Sequence, residues 1–387
     1  MNATTVPITA HVLTWAREEA GLTQSELADR AKLDVEGLKA WEAAESYPTK
    51  GQFSKLVGIL KRPSALFFLP EPPVQAGMPT SLRSAPALGN HKLGPEEARQ
   101  IRWARRLQEL TSWVLRDQGS PEVRLSQYRP SQDPVGMADA ERLQSGISTG
   151  EQLAWTSASV AFRAWREHLE EQGTLVMQLT MGKNNIRGFG AWDDYAPLVV
   201  VNTAYHPTAR IFTLFHEVAH LLTRTDAACQ NFVIPADNDH SVERWCERFA
   251  AAFLLPEEGL KEVASKYGVT TASRTNDPDT ARLIANRFSV STRATAIRLQ
   301  EVGIAEPTLY SAVAAQFAAK DWNDSSGGGG GGQPASEKRI GQLGARLPNA
   351  LINAADRGRL TTRDLADYLQ LNTGQLDDLK GLLNEPR

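Results

Sequence analysis

"FTLFHEVAHLL", Phe212 to Leu222, sets two histidines and a glutamate, His216, Glu217 and His220, inside an otherwise apolar run. Burying two imidazoles and a carboxylate is costly unless something compensates. On a helix a four-residue spacing puts His216 and His220 one turn apart on the same face. Two imidazole nitrogens so placed reach one zinc ion at about 2.0–2.1 Å each. Glu217 lies one step round, an offset that suits taking a proton from an attacking water rather than ligating the metal.

The flanks fit such a helix. "TLVMQLTM" from Thr174, "IRGFGAW" from Ile186 and "PLVVVN" from Pro197 read as strands. Pro207 and Thr208 open the motif helix, proline being well placed in a first turn. Farther upstream, "EEARQIRWARRLQELTSWVLRDQ" has helical spacing, and "QLAWTSASVAFRAWREHLEEQG" reads as one more helix ended by Gly173. The chain to about residue 320 is helical again. The fold class is α+β and mainly helical, with a small sheet before the motif.

A third ligand is required, with one position left open. "HSVERWCERFAAAFLLPEE", His240 to Glu258, reads as a helix ending near Pro256, with Glu243 and Glu247 four apart on one face. Glu243 is the expected ligand, with Glu247 holding a ligand histidine in place. Cys246, near the same face, is a rival, although thiolate suits closed structural sites better.

Length and composition bound the rest. A chain of 387 residues, 41% hydrophobic and 22% charged, has room for two or three globular domains. A net charge of −3 gives no general attraction to nucleic acid or membrane. Cys229 and Cys246 are too few for a disulfide framework, so a reducing cytoplasm is expected. No signal peptide or membrane span is read. The expected organisation is a helical domain over 1–70, a proline-rich linker over 71–90 and a domain over 91–320 that carries the metal motif. A glycine-rich linker over 321–336 and a small helical domain over 337–387 complete it.

"VVVNTAYHPTARIFTLFHEVAHLL" followed by "VERWCERFAAAFLLP" resembles the ImmA/IrrE family of zinc metallopeptidases. Asn202, Arg210, Phe212, Thr213, Leu214, His216, Glu217, His220, Glu243, Phe249, Ala250, Ala251, Leu255 and Pro256 match that family's pattern. The resemblance implies Zn2+ held by His216, His220 and Glu243, with Glu217 as general base. It also implies regulatory cleavage of a transcriptional repressor. The family usually carries Asn or Asp where this chain has Glu247. "LIANRFSVSTRATAIRLQEVGI", Leu283 to Ile304, continues the resemblance as a helix-turn-helix-like ending. From order along the chain, the "PLVVVN" strand is expected to accept substrate as an added strand.

"LTQSELADRAKLDVEGLKAWEAAESYPT", Leu22 to Thr49, resembles an Xre/Cro-type helix-turn-helix. Thr23 caps its first helix, a turn follows near Lys32, and Leu27, Ala28, Leu33, Leu38 and Trp41 are its core. Gln24, Val35, Glu36 and Lys39 hold the positions that would meet DNA. Residues 1–62 carry eight basic and eight acidic side chains. So neutral a module has little counterion-release affinity, and DNA and protein remain open as its partner. Arg99, Arg102 and Arg106 share a helical face that reads as solvated. "LTTRDLADYLQLNTGQLDDLK", Leu360 to Lys380, repeats the pattern of Leu22 onward and reads as a second such module, for interaction.

The sequence therefore predicts a zinc endopeptidase fused to a helix-turn-helix, acting on a repressor or antitoxin-like protein. The competing readings are a DNA-binding regulator whose zinc domain senses or scaffolds, and an antitoxin-type binding protein.

Overall fold

The computed structural model describes residues 5–20, 22–60, 62, 64–72, 94–182, 186–224, 228–229, 241–317 and 332–384. Most of the proline-rich linker and of the glycine run lies outside these residues. The chain forms two compact units, 1–105 and 106–387. Among the described residues no helix is long and apolar enough to cross a membrane.

In the first unit α1 (Ala10–Glu19), α2 (Gln24–Ala31), α3 (Val35–Glu42) and α4 (Lys50–Leu60) enclose a core that includes Val12, Leu27, Leu38, Leu56 and Phe67. Thr23 and Glu26 form a reciprocal capping box at the start of α2. Lys32 ends the helix at φ 51°, the left-handed turn that redirects the chain into α3. Asp34 caps α3 by accepting from the Gly37 N–H at 2.9 Å. Arg17 grips Glu42 through two bonds of 2.7 and 3.0 Å, tying α1 to α3. A further helix, α5, spans Pro95–Asp117.

In the second unit α6 (Pro134–Ser145), α7 (Thr149–Ala154) and α8 (Ala158–Glu171) precede the sheet. The stretch expected as one helix before Gly173 is thus two. Ser157 starts the second by accepting from the Val160 N–H, which competes with continuation of the first. The sheet holds β1 (Leu175–Leu179), β2 (Gly188–Ala191), β3 (Leu198–Asn202) and the two-residue β4 (Ala228–Cys229), in the order β1-β3-β2-β4. β1 runs parallel to β3, while β2 is antiparallel to both β3 and β4.

This order corrects one expectation. β3, the "PLVVVN" strand, is paired along both edges and has no free backbone row for an added substrate strand. Chain order placed it next to the motif helix, but sheet order is set by pairing and put it in the middle.

The motif helix α9 (Pro207–Thr223) packs on β2 and β3 and against α8 and α10 (Ser241–Leu254). From Ile211 to Thr223 every residue is buried, so this helix is enclosed on all sides. Phe215 holds it from behind, stacked on Phe253 at 4.3 Å and edge-on to Trp165 at 5.0 Å. The helices α11 (Glu257–Ser265), α12 (Pro278–Phe288), α13 (Thr292–Glu301) and α14 (Leu309–Phe317) follow.

After the glycine run come α15 (Ala335–Leu343), α16 (Arg346–Asp356), α17 (Thr362–Leu369) and α18 (Thr373–Asn384). Where the sequence echoes the N-terminal pattern, Thr361 and Asp364 form a capping box and Gln370 ends α17 at φ 52°. α15 packs against β1. Arg166, paired with Glu170 at 3.2 Å, donates to the Gly341 carbonyl at 2.8 Å. Glu170 in turn accepts from the Ala345 N–H at 3.1 Å. Gly344, at φ 77°, has no room for a side chain: an added Cβ would overlap the Glu170 carboxylate. Gly344→Ala is expected to cost about 1–3 kcal/mol and to loosen α15 from β1. Faster hydrogen exchange in residues 335–343 than in α9 would show it.

Candidate metal centre

His216 and His220 project from the same face of α9, as their spacing requires, and α10 brings Glu243 across to them. The two imidazole Nε2 atoms are 3.1 Å apart. Glu243 reaches His216 Nε2 with one carboxylate oxygen at 3.2 Å and His220 Nε2 with the other at 3.4 Å. A tetrahedral ion with ligands at about 2.0–2.1 Å sets those ligands roughly 3.3–3.4 Å apart. The two imidazoles lie near that edge length, and each has a different Glu243 oxygen at a similar distance, so the donor set fits zinc. Among the described residues these three form the one cluster able to hold a metal.

Electrostatics agree. Burial pushes the Glu243 carboxyl up, but hydrogen bonds and charge from His216 and His220 outweigh it and hold the group well below the usual carboxylate range. It is therefore ionised, as a ligand must be.

Glu217 is fully buried and lies against β2. A Cβ at Gly188 would meet the Val200 carbonyl at 2.6 Å and the Thr213 methyl at 2.7 Å. One at Gly190 would meet the Glu217 carbonyl at 3.1 Å and its carboxylate at 3.5 Å. The two glycines let the strand come close under the motif helix, a close-approach role of glycine. The alternation of glycines in "RGFGA" is the sequence signal for this, though period two by itself predicts only a strand.

Two polar residues shared with the family pattern turn out to shape the approach to α9. The Asn202 side chain accepts from the Met181 and Ala204 N–H groups and donates to the Gly182 and Ile186 carbonyls. Arg210 donates to the Tyr205 and Thr203 carbonyls and to Gln178. Together they pin the turn between β3 and α9.

Residues 169–300 match the family model of the IrrE N-terminal-like domain, and residues 13–67 match a helix-turn-helix model. The chain joins a helix-turn-helix to an IrrE-like domain. No curated protein matches it.

Within the IrrE-like domain the carboxylates of α10 part company. Glu247, expected to hold a ligand histidine, accepts no hydrogen bond from His216 or His220 among the described residues, and His216 Nδ1 is buried without a hydrogen-bond partner. The one-turn offset takes Glu247 into the wall of a neighbouring cavity. Burial pushes its carboxyl up, against the pull of His216 and Arg244. Cys246 is fully buried and outside the ligand cluster, its thiol pushed well up by burial, so the rival ligand is a core side chain.

In the helix-turn-helix the named positions are mostly engaged. The Gln24 amide donates to Glu42 at 2.8 Å, and Val35 packs on the core. Glu36 and Lys39 are exposed and paired with each other at 2.8 Å. Of the arginines on α5, Arg99 pairs with Glu96 and Arg106 lies over the Tyr368 ring at 4.7 Å.

Proposed function

We propose that the chain is a zinc-dependent endopeptidase that regulates transcription by cutting a repressor or antitoxin-like protein. The observation that carries this reading is the His216, His220 and Glu243 donor set at tetrahedral spacing, with Glu217 beside it and not part of it. Zinc, when bound, supplies Lewis-acid polarisation of a peptide carbonyl and of water. His216, His220 and Glu243 hold the ion. Glu217 takes the proton from the attacking water and passes it to the leaving nitrogen. Its enclosure by α9 and β2 keeps bulk water from competing for that proton.

The helix-turn-helix is proposed as a docking module for the protein substrate, since residues 1–62 carry as many acidic as basic side chains and Lys39 is already paired with Glu36. A DNA-reading role is favoured by the family match alone. On the docking view any affinity for duplex DNA has a shallow salt dependence, with log K against log salt no steeper than about −3. Fluorescence anisotropy across a salt series measures this, and a slope of about −6 or beyond would mark a DNA reader.

The test of the whole reading is co-expression with helix-turn-helix repressors, looking for a discrete fragment. The fragment should vanish on chelation of zinc and in Glu217→Gln. A stable stoichiometric complex with no fragment would favour the antitoxin-type reading.

A further inference from the structure

Beside the metal centre lies a cavity of about 440 Å³, walled by α9, α10, α12, α13 and α14. It begins one turn from the ligands. Phe212 precedes His216 by four residues and Glu247 follows Glu243 by four, a displacement of about 6 Å along each helix. An extended peptide advances roughly 3.3–3.6 Å per residue. A side chain one or two residues from a bond held at the metal therefore arrives here.

The walls have two characters. The floor is apolar, with Phe212, Ala251 and Ala294 buried. The rim carries Arg187, Arg244, Arg248, Arg282 and Arg293 against two glutamates, Glu247 and Glu301. With Asp279 paired to Arg282 counted as well, that is a local surplus of two positive charges in a chain whose net charge is −3. The first turn of α13, at Ser291 and Thr292, also faces the cavity and adds the positive end of a helix. Arg187 is stacked on Tyr205 at 4.9 Å, which fixes one guanidinium on the wall.

Arg248 and Arg282 are the exchangeable members. Arg248 meets Glu301 at 3.6 Å, Arg282 meets Asp279 at 3.1 Å, and both arginine side chains are 46% exposed. Exposed pairs of this kind contribute little, so an incoming carboxylate competes for them readily. Guanidinium groups bind carboxylates bidentately, and an apolar floor rewards the aliphatic parts of the same peptide.

We propose that this cavity is the subsite for an acidic segment of the protein substrate, taking glutamate or aspartate side chains next to the scissile bond together with an apolar neighbour. This assignment rests on the peptidase reading above. A small free anion would use the arginines but leave the apolar floor uncovered, which is why a peptide is preferred as the occupant.

The test uses the full-length Glu217→Gln protein loaded with zinc, so that binding is read without cleavage. The probes are a fluorescein-labelled dodecapeptide alternating glutamate with leucine and its counterpart with lysine for glutamate. The acidic peptide is expected to bind at least about 10-fold more tightly at low salt. Adding Arg248→Glu and Arg282→Glu should reverse the order of the two peptides. Because both arginines are on the surface, circular dichroism and zinc content should be unchanged. Equal binding of the two peptides, or a preference that survives the charge reversal, overturns the proposal. So does displacement of the acidic peptide by inorganic phosphate at equal concentration, which would make this a small-anion site. Cleavage of the acidic peptide by the protein with Glu217 intact is scored separately. Its absence, with the binding preference present, counts against the peptidase reading and leaves the assignment of the cavity standing.

Discussion

Glu217→Gln is expected to lower peptide-bond cleavage by about 10²–10⁴-fold, the range general-base catalysis supplies. Zinc content and thermal stability should stay where they were. The reasoning is geometric: the cluster able to hold the ion is His216, His220 and Glu243, and Glu217 is outside that set. Glutamine keeps the size of the side chain, so the close packing against Gly188 and Gly190 survives. What is lost is the ability to accept a proton. Paired measurement of zinc stoichiometry and of fragment formation decides the matter. A variant that loses zinc along with activity would make Glu217 a ligand and sink this assignment.

The second large effect separates the two carboxylates of α10. Glu243→Ala is expected to weaken zinc binding by more than about 100-fold, since even residues that only support a ligand commonly cost 10–100-fold. At a fixed zinc concentration near saturation, a hundredfold loss removes about 2.7 kcal/mol of linked stability. Melting with and without zinc should therefore show a smaller zinc-dependent shift in Glu243→Ala than in the parent chain. Glu247→Ala should weaken zinc by less than about 10-fold, because Glu247 makes no hydrogen bond to either histidine among the described residues. Calorimetric titration of the two variants makes the comparison. A Glu247→Ala loss as large as that of Glu243→Ala would mean that α10 offers the ion a different face.

Much of the site was legible in the residues alone because it is written at helical spacing. His216 and His220 four apart need only a helix to bring their nitrogens together, and Pro207 and the buried run from Ile211 onward supply that helix. The N-terminal module was legible for a similar reason. Thr23 with Glu26, and Asp34 with Gly37, are local bonds within three residues, and the left-handed turn at Lys32 lies between them. Trp155 to Ser157 was misread because a helix-compatible pattern continues across a break made by one serine cap.

Long-range relations were not legible in this way. Glu243 is expected beside the histidines from the sequence, but only the packing of α10 on α9 shows that Glu247, one turn on, goes into the cavity wall and not to a histidine. Strand order was equally hidden, since β3 precedes the motif helix yet sits between β1 and β2. The arginine-rimmed cavity gathers residues from position 187 to 317, with no spacing rule that would join them. Local geometry, repeated every turn, let the sequence determine the helices, their caps and the shared face of His216 and His220. Which helix faces meet depends on burying apolar surface across many chain segments at once. That step, decided only in the folded chain, sent Glu247 away from the histidines, closed both edges of β3 and made the pocket beside the proposed metal centre.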